Sequence, residues 1–363
     1  MNALLPRLRT LAAALATLAL LAHAATGTAE PLRRYNVDPA SVSVSGISSG
    51  GYMAVQFAVA YSGIVHGVGV VAGGPYGCAN ASITTALDVC MAGKRPIRVA
   101  DLVSLTKRRA RSGAIDPVAG LAAQRVWIFT GSIDSTVVPK VGDALEQYYR
   151  AFVPAASITR VSSVRAEHTM PTTDFGNDCT IKGDPYISDC DFDGAGELLQ
   201  WIHGPLQPPA ATAPGGRLTP FEQNEFSSFP AAHSLGSTGW VYVPQACEDG
   251  ARRCRLHVAF HGCRQFADFL YVDANNQPAR YGTTFAEHAG YNRWADANDF
   301  IVLYPQTRRG PELPGDLFGV TSANPKGCWD WWAYDSTQYA EKNGPQMLAV
   351  RRMIARISGE QPH

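Results

Sequence analysis

Gly46-Ile47-Ser48-Ser49-Gly50 is a Gly-x-Ser-x-Gly pentapeptide, and its middle residue, Ser48, is a candidate nucleophile. A serine hydroxyl attacks poorly at neutral pH. It needs a base to take its proton, an acid to orient that base, and N–H donors for the developing oxyanion. Flanking glycines suit a strained strand-to-helix turn, where the backbone passes close to its neighbours. The strand-like SVSVS at 41–45 precedes the pentapeptide, the helix-like YMAVQFAVAY at 52–61 follows it, and Gly51 adds room. Ser49 is the rival hydroxyl, yet it occupies the slot that supplies a backbone N–H.

The acid belongs just past a later strand of the same sheet, where catalytic groups gather in open parallel sheets. After RVWIFT at 125–130 comes GSIDSTV, which places Asp134 in such a loop. An aspartate there also caps turns. The strand-like SITRVSSV at 157–164 then leads into RAEHTMPTTDFGNDC, with His168 on the loop, and the order Ser, Asp, His is that of α/β-hydrolases. The other histidines fit less well: His23 precedes a cleavage pattern, His363 is terminal, His66 begins a strand, His203 is late on a helix, His257 lies within a strand, and His233 and His288 lack strand-end placement. His261 ends a strand in VAFHGCRQ, a His-Gly turn of the kind that presents oxyanion donors. We expect His261 to hold that turn and count it among the substrate-binding residues.

Positioning these residues takes alternating strands and helices. Apolar runs at 66–72, 125–130, 239–244, 255–260 and 300–305 read as buried strands; stretches at 50–61, 139–152, 284–298 and 344–357 read as helices. The alternation predicts an α/β fold with a mostly parallel sheet covered on both faces. Residues 239–260 read as a hairpin-like pair around the turn from Cys247 to Cys254. GPLQPPAATAPGG at 204–216 is a linker by composition. Because the second half offers few strands alone, we expect one catalytic domain over 25–363 whose sheet draws on both halves. GVGVVA at 67–72 imitates a dinucleotide fingerprint, but GGPYGC follows it rather than a helix, and no cofactor is expected.

The chain has 363 residues, 46% hydrophobic and 17% charged, with 31 basic residues balancing 31 acidic ones, so no net field recommends nucleic acid or an anionic membrane as partner. Arg7 and Arg9 precede an apolar run from Leu11 to Ala22, and Ala22-His23-Ala24 is a small-x-small cleavage pattern, so residues 1–24 read as a removed secretory signal. No later segment is long and apolar enough to span a bilayer, and the mature protein is expected to be soluble, monomeric and exported. Export favours disulfides for the eight cysteines, Cys78, Cys90, Cys179, Cys190, Cys247, Cys254, Cys263 and Cys328. Sequence leaves their connectivity open; nearest-neighbour pairing would close three short loops and one long one. A zinc site from Cys247, Cys254, His257 and His261 lacks the usual paired-ligand spacing, so no metal is expected.

Only about twenty mature residues precede the pentapeptide, whereas an ordinary α/β-hydrolase places its oxyanion turn before the serine. Here the His-Gly turn comes at 261, beyond His168 and beyond the linker. Circular permutation accounts for this, with the linker joining the old carboxyl and amino ends. With the stretches SGISSGGYMAVQ, GSIDSTVV, RAEHTMPT, HVAFHGCRQ, YNRWADANDFIVLYPQ and NPKGCWDWW, the chain resembles the polyhydroxyalkanoate depolymerases, in particular extracellular poly(3-hydroxybutyrate) depolymerases with a circularly permuted α/β-hydrolase domain. The resemblance implies Ser48 as nucleophile, Asp134 and His168 as its partners, the N–H groups of Ser49 and Cys263 as oxyanion hole, and a disulfide between Cys263 and Cys328. It implies a polyester polymer or oligomer as substrate.

A polyester offers no charge to grip, so apolar and aromatic walls should bind it. Trp329, Trp331 and Trp332 in GCWDWWAYD supply such faces, and Trp329, beside Cys328, is the expected substrate wall. Several members of the family append a substrate-binding domain, and none is expected after the helix at 344–357. Feruloyl and acetylxylan esterases share segments of the HGC and YPQ kind but usually keep the oxyanion strand before the serine. A binding protein with a dead site would not need the full Ser, Asp and His set.

Overall fold

The computed structural model describes residues 29–209, 214–273, 276–310 and 322–360. The signal reading at 1–24 and residues 210–213 of the linker lie outside them. In chain order the strands of the main sheet are β1 (Ser43–Ile47), β2 (Gly67–Val71), β3 (Arg125–Phe129), β4 (Ile158–Val161), β5 (Arg217–Glu222), β6 (Thr238–Val243), β7 (Arg255–Phe260) and β8 (Phe300–Tyr304). The helices that matter below are α1 (Ser49–Ala60), α2 (Val99–Arg111), α3 (Pro139–Tyr149), α4 (Gly194–His203), α5 (Tyr291–Asn298) and α6 (Pro345–Ser358).

The strands form one eight-stranded sheet in the order β4-β3-β2-β1-β7-β8-β6-β5. The first six run parallel; β6 is antiparallel to both β8 and β5. Strand side chains alternate between the faces with period two. Val68, Val70, Val126, Ile128, Leu256, Val258, Ile301 and Leu303 pack with Phe57 of α1, Leu145 of α3 and Val350 of α6. Trp127, Phe129, Phe300 and Val302 pack on the opposite side with Leu198 of α4 and Trp294 of α5. Both faces are therefore covered, as parallel strands require.

The permutation is visible in the pairing. β1 sits mid-sheet between β2 and β7, with Gly46 opposite Phe260. The chain enters it beside the end of α6: the Tyr35 N–H donates to the Ile357 carbonyl at 2.9 Å. An unpermuted chain would run there from helix α6 into β1. At the linker, the Gln207 N–H is held by Asn298 Oδ1 at 2.8 Å and the Gly216 N–H by Asp296 Oδ1 at 2.9 Å, so both flanks are tied to α5.

Two expectations are corrected. Residues 239–260 are not a hairpin, because β8 lies between β6 and β7; the chain between them is stapled by Cys247–Cys254 instead. The stretch 284–298 is not one helix: a short helix, Thr284–His288, ends before Gly290, whose φ of 91° breaks the helical path ahead of α5. The four disulfides are Cys78–Cys90, Cys179–Cys190, Cys247–Cys254 and Cys263–Cys328. Since the sulfurs of Cys247 and Cys254 are bonded to each other, the zinc reading lapses.

Candidate active site

Ser48 stands between the last residue of β1 and the first of α1, at φ 56° and ψ −122°. A non-glycine residue at positive φ is costly and persists only where its surroundings hold it. They do so through the glycines. A Cβ on Gly46 would lie 2.3 Å from the Gly50 carbonyl oxygen, and one on Gly50 2.2 Å from that of Phe260. The pentapeptide therefore records the close approach of three backbone segments. The Ser48 N–H donates to the Val71 carbonyl at 3.0 Å, fixing the turn against β2.

Asp134 and His168 follow β3 and β4, the two strands beyond β2. Both are buried. Asp134 Oδ1 accepts the N–H groups of Thr136 and Val137, each at 2.8 Å, which leaves Oδ2 for His168 Nδ1 at 2.9 Å. A carboxylate on Nδ1 selects the tautomer with its proton there, so Nε2 carries a lone pair. His168 and Ser48 both line one cavity of about 500 Å³.

The turn after β7 closes the other side of the serine. A Cβ on Gly262 would lie 3.3 Å from Ser48 Cβ, which measures how tightly this turn abuts the elbow. Gln265 Oε1 accepts the Gly262 N–H at 2.6 Å, while Gln265 Nε2 donates to the Pro185 carbonyl at 2.9 Å. Cys263 lines the cavity and is bonded to Cys328, also on its wall. Tyr52 and Trp331 stack at 3.9 Å between ring centroids, and Trp332 meets Trp331 edge-on at 5.5 Å. Ile83 and Leu87 line the cavity too, and each is 49% exposed. Among the described residues the cavity walls include no carboxylate, and their charged members are Arg264 and Lys326.

Trp329 and His261 are not on that wall. Trp329 is fully buried, packed edge-on against Phe260 at 5.1 Å, and its backbone N–H donates to Ser49 Oγ at 3.3 Å. His261 is equally buried: Nδ1 donates to the Gly262 carbonyl at 2.7 Å and Nε2 accepts the Thr307 N–H at 3.2 Å. Burial pushes its pKa down to about 4. The expectation that Trp329 and His261 touch substrate is therefore corrected: they brace the elbow and the turn from behind, and the aromatic face falls to Trp331 and Trp332.

With this geometry in place, the comparisons with known proteins are informative. The chain is 38% identical over 339 residues to a polyhydroxybutyrate depolymerase of Talaromyces funiculosus, covering 92% of this chain and 94% of that protein. The chain belongs to the polyhydroxybutyrate depolymerase family. It is also 45% identical to a poly(3-hydroxybutyrate) depolymerase of Delftia acidovorans over 350 residues, 96% of this chain but 65% of that longer protein. The crystal structure of PHB depolymerase from Penicillium funiculosum matches with a TM-score of 0.80 at 37% identity, over 91% of this chain and all of that one. A serine-to-alanine variant of a PHB depolymerase, complexed with an R3HB trimer, matches equally well. No family model matches the chain.

Two residues of the site escaped the sequence reading. Gln265 braces the His-Gly turn, and Glu167 binds backbone N–H groups on either side of the Asp134–His168 pair. Each ties a near backbone group to one distant in sequence, Glu167 to Ser135 and Gln265 to Pro185, and no motif announces that. Glu167 alone carried a signal, its place next to His168.

Proposed function

We propose that this chain is an exported, monomeric serine esterase that hydrolyses poly(3-hydroxybutyrate) or its oligomers through an acyl-enzyme. Ser48 is the nucleophile. His168 Nε2 takes its hydroxyl proton as Oγ bonds to the ester carbonyl carbon, and Asp134 holds the resulting imidazolium. The oxyanion is received by the N–H groups of Ser49 and Cys263. His168 then returns the proton to the departing alkoxide as the ester C–O bond breaks. Water repeats the sequence, releasing the hydroxyacid and restoring Ser48.

The observation that carries this reading is the Asp134–His168 contact at 2.9 Å opening, with Ser48, into a cavity walled by Tyr52, Trp331 and Trp332. An uncharged polyester fits such walls, and the family relationship favours that substrate over other esters. Four disulfides suit an oxidising compartment, and no helix among the described residues is long and apolar enough to cross a membrane. The test is product analysis after incubating purified protein with poly(3-hydroxybutyrate) film and with an unrelated polyester. Hydroxybutyrate oligomers should appear from the first only. A Ser48→Ala protein that folds normally yet clears film at the wild-type rate would overturn the assignment.

A further inference from the structure

The loop carrying the acid and the loop carrying the base are zipped together by backbone bonds that stop short of the reacting pair. The Ser132 N–H donates to the Val164 carbonyl at 2.9 Å and the Ile133 N–H to that of Ala166 at 3.3 Å. A Cβ on Gly131 would lie 2.2 Å from the Ala166 carbonyl oxygen, so the loops touch backbone to backbone. At the next step the ladder changes hands. Glu167 Oε2 accepts the Ser135 N–H at 3.1 Å and the His168 N–H at 3.0 Å. One carboxylate oxygen thus grips the residue after Asp134 and His168 itself.

The remaining amides of the acid loop are spent on Asp134, whose Oδ1 holds Thr136 and Val137. Glu167 is held in its turn: its N–H donates to the Cys179 carbonyl at 2.8 Å, in the loop closed by Cys179–Cys190. Lys182 of that loop reaches the Ser135 hydroxyl at 2.7 Å. We propose that Glu167 is a positioning residue that sets the distance and angle between Asp134 and His168, a role that rests on the serine-esterase reading above. It does not line the cavity. Without its carboxylate two N–H groups lose their acceptor, the loops part by a fraction of an ångström, and the imidazole turns away from Ser48.

The proposal separates from simple stabilisation by what it predicts for paired variants. With p-nitrophenyl butyrate as probe, Glu167→Ala should lower kcat by about 10- to 100-fold with KM nearly unchanged, the range expected for slight misplacement of a catalytic group. Glu167→Gln should stay within about threefold of wild type, since its amide oxygen can accept both N–H groups. In an Asp134→Ala background, Glu167→Ala should cost little more, because the pair it positions is gone; independent effects would multiply. Thermal unfolding of each variant checks that it is folded. Wild-type activity in Glu167→Ala, failure of Gln to restore it, or multiplicative losses in the double variant would each overturn the proposal. Activity surviving in Ser48→Ala would instead refute the underlying esterase reading.

Discussion

Acidification should destabilise this protein well before its carboxylates are exhausted, because the fold stores histidines in neutral form. His257, wholly buried beneath the elbow, pairs Nδ1 with Ser43 Oγ at 2.8 Å and Nε2 with Ser45 Oγ at 2.7 Å, one nitrogen donating and the other accepting, and burial pushes its pKa down to about 3. Burial takes His261 down to about 4. His203, partly buried, is lowered to about 2, by burial first and then by His257, Arg255 and His66. Unfolded, each titrates near ~6.5. The unfolded chain therefore takes up protons that the native state refuses, so this stability is complete above pH ~6.5 and drains away as pH falls below it. Between pH 8 and 5.5, His257, His261 and His203 should each cost about 1.4 kcal/mol. Asp330 opposes them. Burial first raises its pKa to about 6, so its native carboxyl regains a proton in this window and returns about 0.8 kcal/mol; burial moves Asp184 and Asp335 in the same direction. The net expectation is a loss of about 3 kcal/mol, read by urea unfolding followed through tryptophan fluorescence at fixed ionic strength. His257→Asn should shrink that pH-dependent loss by about 1 kcal/mol whatever it does to stability at pH 8. An unfolding free energy flat from pH 8 to 5.5, or unaltered pH dependence in His257→Asn, would refute the reasoning.

Three further outcomes follow from the packing. Removing the Cys263–Cys328 bond by Cys328→Ser opens a loop of 65 residues, which should cost about 4 kcal/mol in the chain-entropy account and lower kcat as the His-Gly turn loosens; denaturant midpoints and esterase rates measure both. Trp332→Ala, on the cavity wall, should raise KM for hydroxybutyrate oligomers while leaving the melting temperature nearly unchanged, whereas Trp329→Ala, in the core, should cost about 3–5 kcal/mol; the reverse pattern would return Trp329 to the substrate side. Gly50→Ala would drive its methyl into the Phe260 and His261 carbonyls, at 2.2 and 2.4 Å, so it should yield little folded protein and no fluorophosphonate labelling of Ser48.

Much of the scaffold was legible because parallel strands buried on both faces leave continuous apolar runs, and β2, β3, β7 and β8 fall within a residue or so of the runs that announced them. Ser48, Asp134 and His168 were legible for a related reason: each follows a strand, and the glycines around Ser48 mark a crossing no other residue could make. The hairpin was misread because adjacency in sequence says nothing of a strand inserted later, and β8 arrives forty residues after β7. Trp329 was misplaced because three tryptophans within four residues look alike as letters. Their directions differ: Trp331 stacks on Tyr52 over the cavity, while Trp329 turns toward Phe260. The hydrogen bonds among Ser43, Ser45, His203, His257 and Tyr291 were unreadable altogether, since they join β1, β7, α4 and α5 across 160 to 246 residues.

The permutation also decides how the site assembles. Ser48, Asp134 and His168 all lie in the first half of the chain, on loops after β1, β3 and β4. The His-Gly turn, its disulfide partner Cys328 and the tryptophan pair all lie in the second half, and Cys263–Cys328 staples them to one another without touching the first. The two halves pair along the β1–β7 seam, where Ser43 pairs with His257 and Gly46 with Phe260, and they touch again where Trp331 stacks on Tyr52 and Gln265 reaches the Pro185 carbonyl. That seam joins positions more than two hundred residues apart, a contact whose loop entropy is met only when both halves have collapsed. Gly46 and Gly50 also abut the Phe260 carbonyl, so the strained turn at Ser48, held on one side against β2 through Val71, is clamped on the other only when β7 arrives. The first half therefore holds the proposed triad residues, but the conformation that would make Ser48 a nucleophile is completed by the second.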